Sequence, residues 1–171
     1  MEHSSATGKQ KNVISEKKVI AHVMHHFLGD PLDPLESQVL AMAHQEAQEG
    51  FIPVIHTSCA LSKPGRTTID GVVVVRHRYA YPHFWLNQAQ KHTLDSNCGD
   101  WISHCLWRNL MKEKYLSKII THVGGRIGQI AQNAAKKRGI PFELRSLCNA
   151  QPIPSGFGNW EKLANWVIGL K

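Results

Sequence analysis

Two adjacent glycines, Gly124-Gly125, divide the stretch Lys114–Ile140, KYLSKIITHVGGRIGQIAQNAAKKRGI, into two halves of the same apolar spacing. Paired glycines free the backbone for a tight turn and disfavour a helix running through them. Before them, Leu116, Ile119, Ile120 and Val123 fall at i, i+3, i+4 and i+7, one face of a short helix. After them, Ile127, Ile130, Ala131 and Ala134 repeat that pattern, and Gly139 supplies a C-terminal stop. Two short amphipathic helices joined by a glycine turn read as a helix-turn-helix over about 115–139.

The outward side of the second helix carries Arg126, Gln129, Gln132, Asn133, Lys136 and Lys137, with no carboxylate among them. Gln and Asn pair with adenine edges, Arg and Lys address guanine, and all of them hold phosphates. An ordinary helical hairpin with a solvated basic face is the competing reading. Gly125-Arg126, then Ile130, Ala134, Arg138, Gly139 and Ile140, resemble the last two helices of Myb/SANT-like helix-turn-helix segments. The resemblance covers residues 114–140 alone. It implies that the second helix lies in the DNA major groove.

The charge balance agrees in sign. Lys and Arg number 20 against 13 Asp and Glu, a net charge of +7, which favours an anionic partner such as nucleic acid. No apolar run approaches the length of a membrane span. The polar amino-terminal stretch MEHSSATGKQKNVISEKK lacks the apolar core of a signal peptide, so a cytoplasmic protein is expected. Cys59, Cys98, Cys105 and Cys148 form no CxxC pair and read as free thiols. With 171 residues the chain suits one domain, here 15–171 behind a disordered basic tail at 1–14.

In chain order, Ser15 is expected to cap a helix to about Leu28 that buries Val19, Ile20, Val23 and Phe27. His22 and His26 lie at i, i+4 on it, but no acidic or cysteine partner is near in sequence, and no metal is assigned. Asp33, Pro34 and Glu36 give the capping-box start of a second helix that buries Leu35, Val39, Leu40 and Ala43. Residues 51–56 read as a strand, with Pro53 pointing to a sheet edge. Asp70-Gly71 is a strong hairpin signal. In the strand after it Val73, Val75, His77, Tyr79 and Tyr81 share one face, and Val72, Val74, Arg76 and Arg78 the other. Arg76 and Arg78 could lie along a phosphate backbone. A helix from about 99 to 113 is expected to be central to the core, and one at about 159–170 to close it.

Cys98 carries the competing chemistry. Placed at a helix start, it would gain thiolate character from the positive end of the helix dipole. Asn97-Cys98, followed by Gly99-Asp100 and Trp101, resembles the nucleophile segment of NlpC-type, papain-like cysteine hydrolases. By that resemblance Cys98 is the nucleophile, His77 the base and His56 the next candidate. A small buried cysteine behind an Asn97 or Asp95 helix cap is the plain alternative. A zinc set of Cys98, His104 and Cys105 with His122 or Cys148 lacks the paired short spacings of such sites.

These features add up to a helix-rich, single α+β domain with a small antiparallel sheet over 51–81 and a helix-turn-helix near 115–139. The expected function is non-catalytic binding of nucleic acid, duplex DNA rather than RNA, with neither cofactor nor metal. Arg126, Gln129, Gln132, Asn133 and Lys136 address bases and phosphates. Arg76, Arg78, Lys118, Lys137 and Arg138 add phosphate contacts. A homodimer is expected from the habit of such units. The alternatives are the Cys98 hydrolase and a basic module that binds an acidic protein.

Overall fold

The computed structural model describes residues 18–81 and 85–148. The tail and the segment expected to form the last helix lie outside them, as do the side chains of residues 146–148, Cys148 included. The chain forms a single α+β domain around a six-stranded mixed sheet. Its elements are β1 (Val19–Val23), α1 (Pro34–Gln48), β2 (Ile52–Ser58), β3 (Gly65–Ile69), β4 (Val72–His77), α2 (Gln88–Ser96), α3 (His104–Lys112), β5 (Leu116–Val123), α4 (Gly125–Arg138) and β6 (Phe142–Cys148).

The strand order is β3-β4-β2-β1-β5-β6. Every neighbouring pair is parallel except β3 with β4. The antiparallel hairpin expected over 51–81 is therefore only one margin of a larger sheet. Its turn is well read: Ile69 faces Val72, and Asp70 and Gly71 both have positive φ, 50° and 81°, as a two-residue primed turn requires. β2 is a central strand despite Pro53. Ile52 N–H donates to the Lys18 carbonyl on the β1 side, and pairing with β4 starts only at Val54. The proline therefore sits where no partner strand awaits an N–H.

Two expected helices are strands. Val19–Val23 is buried at every position, and Leu116–Val123 is the core strand β5 rather than the first helix of a helix-turn-helix. A strand covered on both faces shows no alternation, so its apolar residues can fall at helical spacing by accident. In β5 the run Ile119-Ile120-Thr121 is β-branched, a composition that prefers the pleated form. The stretch 114–140 is thus a strand, a glycine turn and a helix, and the expected helix-turn-helix is not formed there.

α1 packs on one face, where Val39, Leu40 and Ala43 meet Met24, Phe27, Ile55, Val72 and Val74. Half of the expected capping box is present: Asp33 accepts the Glu36 N–H, whereas the Glu36 carboxylate accepts the Leu28 and Gly29 N–H groups. On the other face α3 and α4 bring Leu106, Leu110, Ile127, Ile130, Ala131 and Ala134 against Ala21, Val23, Ile119, Val123 and Trp101. α3 begins later than expected, capped by Ser103, which leaves Trp101 in an extended segment at the centre of this layer. Gly139 closes α4 at φ 66°.

The helix phase of α4 is directly testable. Ile130 is fully buried and Gln129 exposed. By chemical denaturation Ile130→Ala should cost about 2–5 kcal/mol, whereas Gln129→Ala should stay within about 0.5 kcal/mol.

Candidate functional site

The parallel strands all end on one edge of the sheet, and the order reverses between β1 and β5. In open sheets of this kind ligands bind outside the carboxyl ends of the strands, at such a reversal. Among the described residues, four of the seven exposed large apolar side chains follow the ends of β1, β2 and β4: Leu28, Leu32, Leu61 and Trp85. Most of the exposed large apolar side chains among the described residues thus lie in the loops after these strands.

Asp95 organises it. Its Oδ1 accepts from Tyr79 Oη at 2.5 Å and Tyr81 Oη at 2.8 Å, and its backbone carbonyl lies 3.2 Å from His25 Nε2. Trp101 Nε1–H can only donate, and it donates to His25 Nδ1 at 2.8 Å. The proton of His25 therefore sits on Nε2 and points at the Asp95 carbonyl. Burial, with His26 adding to it, lowers the His25 pKa to about 4. The tyrosine hydroxyls are pushed far above their usual range, by burial first and by Asp95 next. A neutral histidine and two protonated tyrosines give this group a single, fixed proton pattern near pH 7.

Beside it lies a cleft of about 500 Å³ lined by His25, His26, Asp33, Pro34, Leu35, Gln38, Ser96 and Cys98. Cys98 follows the C-terminus of α2 and has φ 52°. The expected helix start is thus a helix end, where the dipole opposes a thiolate. His77 is placed in a buried pair with His56, so the histidines that share the cleft with Cys98 are His25 and His26. His26, Asp33 and Glu36 bring donor atoms within 4.8 Å of one another. Glu36 already accepts the Leu28 and Gly29 N–H groups and Asp33 caps Glu36. Those bonds account for both carboxylates as ties between the β1–α1 loop and the helix.

At the end of β5, Asp100 occupies the start of α4. Its carboxylate accepts Arg126 N–H at 2.6 Å and Arg126 Nη1 at 2.8 Å. An anion is favoured at a helix N-terminus, and here the chain supplies its own. A Cβ on Gly125 would stand 2.7 Å from Asp100 Oδ1, and Gly125 has φ 67°, so glycine is required twice over.

The residues expected to contact nucleic acid are thereby sorted. Arg126 is paired with Asp100. Arg138 donates to the Leu110 and Met111 carbonyls, closing the end of α3. Arg76 donates to the Phe27 and Leu28 carbonyls and to Thr67, and Lys118 pairs with Glu143 at 2.6 Å. Asn133 is half-buried, whereas Gln129, Gln132, Lys136, Lys137 and Arg78 are exposed. Arg76 lies on the α1 face of the sheet and α4 on the opposite face, so the two groups do not form one surface. Lys137 lies over the Trp107 ring of α3, 5.8 Å from its centroid.

The chain has eleven histidines, a number that says nothing of their arrangement. Two stacked pairs lie inside the fold. His56 Nδ1 and His77 Nε2 are 2.9 Å apart, and His22 Nδ1 and His122 Nε2 are 3.1 Å apart, with His22 Nε2 also 2.7 Å from Glu46. Burial lowers His56 to about 3, His77 to about 4 and His122 to about 3.

No protein-family model, curated protein or solved structure matches the chain. No described helix is long and apolar enough to cross a membrane.

Two measurements follow from this geometry. Gly125→Ala should destabilise the fold by more than about 1 kcal/mol and break the Asp100–Arg126 contact, read by denaturation and by the Arg126 guanidinium NMR signal. Secondly, an unfolded histidine titrates near 6.5 while His25, His56, His77 and His122 hold to about 3–4. Between those values the unfolded chain binds protons that the native chain refuses, so stability falls as pH drops from about 6.5 towards 4. Each ring contributes up to about 1.4 kcal/mol per pH unit. The urea midpoint at pH 5 should lie well below that at pH 7.5, and a flat profile would contradict buried neutral rings.

Proposed function

We propose that the protein binds nucleic acid, duplex DNA before RNA, through the outer face of α3 and α4. One observation carries this reading. The two helices pack side by side, and neither HCLWRNLMK nor GRIGQIAQNAAKKR contains an acidic residue. Arg108, Lys112, Lys136 and Lys137 are exposed on them together with Asn109, Gln129 and Gln132. Across the sheet, α1 contains no Lys or Arg and carries Glu36 and Glu46. Charge of one sign gathered on one layer is the footprint of a polyanion partner. The contact is a basic helical layer rather than a helix-turn-helix, and it uses Arg108 and Lys112, which the sequence reading passed over. Arg126 and Arg138 act inside the layer as struts.

Four such cations on phosphates give a salt slope near −3.6, so affinity should fall roughly 100-fold between 50 and 200 mM salt. Arg108→Glu with Lys136→Glu should abolish retention of a duplex at 50 mM. Lys63→Glu with Arg66→Glu makes the same charge change on the far margin of the sheet and should leave most of the affinity. Equal losses in both variants, or no affinity of wild type for any duplex or single strand, would sink the proposal.

A separate observation favours a second site. The cleft beside the strand reversal is lined by His26, Asp33, Gln38, Ser96 and Cys98, polar groups of the kind that orient a small ligand. A cysteine-based hydrolytic step there would use Cys98 with His26, rather than His77, beside it.

A further inference from the structure

Helix α2 is unlike the other helices of the domain. Gln88 to Thr93 are exposed, and Asp95 is its one buried side chain. α1, α3 and α4 are held by apolar stripes, and α2 has none. Among the described residues, its polar ties to the body are the two tyrosine hydroxyls on Asp95 Oδ1, the His25 bond to the Asp95 carbonyl and Lys91 over the Tyr79 ring at 5.4 Å. Its own ends are complete. Asn87 and Gln90 form a capping box, and Gly99 N–H returns to the Leu94 carbonyl at 2.7 Å. Such an element can leave the body without unwinding.

Its position gives that movement a consequence. Ser96 and Cys98, at the end of α2, form one wall of the 500 Å³ cleft, while His25, His26, Asp33 and Gln38 form the other. The chain turns at Cys98, with φ 52°, into Gly99, where a Cβ would meet Leu94 at 2.8 Å and Tyr81 at 2.9 Å. We infer that α2 is a lid on this cleft, latched by the Tyr79 and Tyr81 hydroxyls on Asp95 and hinged at Cys98-Gly99. Few apolar contacts and a small number of polar ties place an element at the low end of local stability, where lids of binding sites are drawn from. Opening separates the cleft walls, and reclosure restores both hydroxyl bonds to one oxygen. The lid draws only its purpose from the cleft being a ligand site. Its motion is tested on the free protein, so a fruitless ligand screen would count against the site and not against the hinge.

The test uses hydrogen exchange and thiol labelling on the whole chain. In wild type, the hydrogen-bonded amides of Lys91 to Asn97 should exchange roughly 100-fold faster than those of β1 and β5. In Tyr79→Phe with Tyr81→Phe, alkylation of Cys98 by iodoacetamide should rise about tenfold relative to exposed Cys105, whose rate serves as the internal reference. Wild-type α2 amides as slow as those of β1 would overturn the lid. A Cys98 to Cys105 ratio unchanged by loss of the hydroxyls would overturn the latch and with it the proposal. If the double variant exposes all its thiols by unfolding, Tyr81→Phe alone and the wild-type exchange rates decide.

Discussion

Burial of β1 and β5 on both faces is the constraint from which the rest of the domain follows. Parallel strands with no solvated side must be covered above and below, and α1 lies over β2 and β4 on one face while α3 and α4 cover β1 and β5 on the other. Parallel neighbours also need crossovers rather than hairpins. Those crossovers throw every loop that follows a parallel strand onto one edge, and Asp95, the cleft and Asp100 all lie there. The core is thus what concentrates the polar chemistry in one place.

Within that edge, the side chains with titratable groups fall into two kinds. His25, Tyr79 and Tyr81 are held in one protonation state by burial and by partners that accept only one arrangement of hydrogens. Asp100 and Arg126 neutralise each other at the mouth of α4. What remains accessible is the mixed lining of the cleft and, on the flank, the acid-free layer of α3 and α4. The two lie on different parts of the surface and call on different residues.

How much was legible in the sequence depended on the range of the signal. α1 was readable because Asp33 and Pro34 act on backbone within one turn, although Glu36 ties down the loop at Leu28 and Gly29 instead of closing the box. The β3–β4 turn was readable because Asp70-Gly71 has few other conformations open to it, and the two faces of β4 followed from simple alternation. β1 and β5 were misread because residues buried on both sides carry no period. The Asp95 cluster joins positions 16 and 14 residues apart, and Arg126 meets Asp100 across 26, distances at which spacing says nothing. Cys98 was recognised as unusual for the wrong reason: its distinction is a left-handed backbone at a helix end. The segregation of charge was available from composition once helix limits were known, since it needs only the absence of acids from two helices and of lysine and arginine from a third.

That segregation has a consequence of its own. With Glu36 and Glu46 on α1 and only basic charges on α3 and α4, these three helices contribute an electric moment directed across the layers. A body with such a moment experiences a torque as well as an attraction in the field of a charged rod. Were a polyanion the partner, α3 and α4 would lead in the approach.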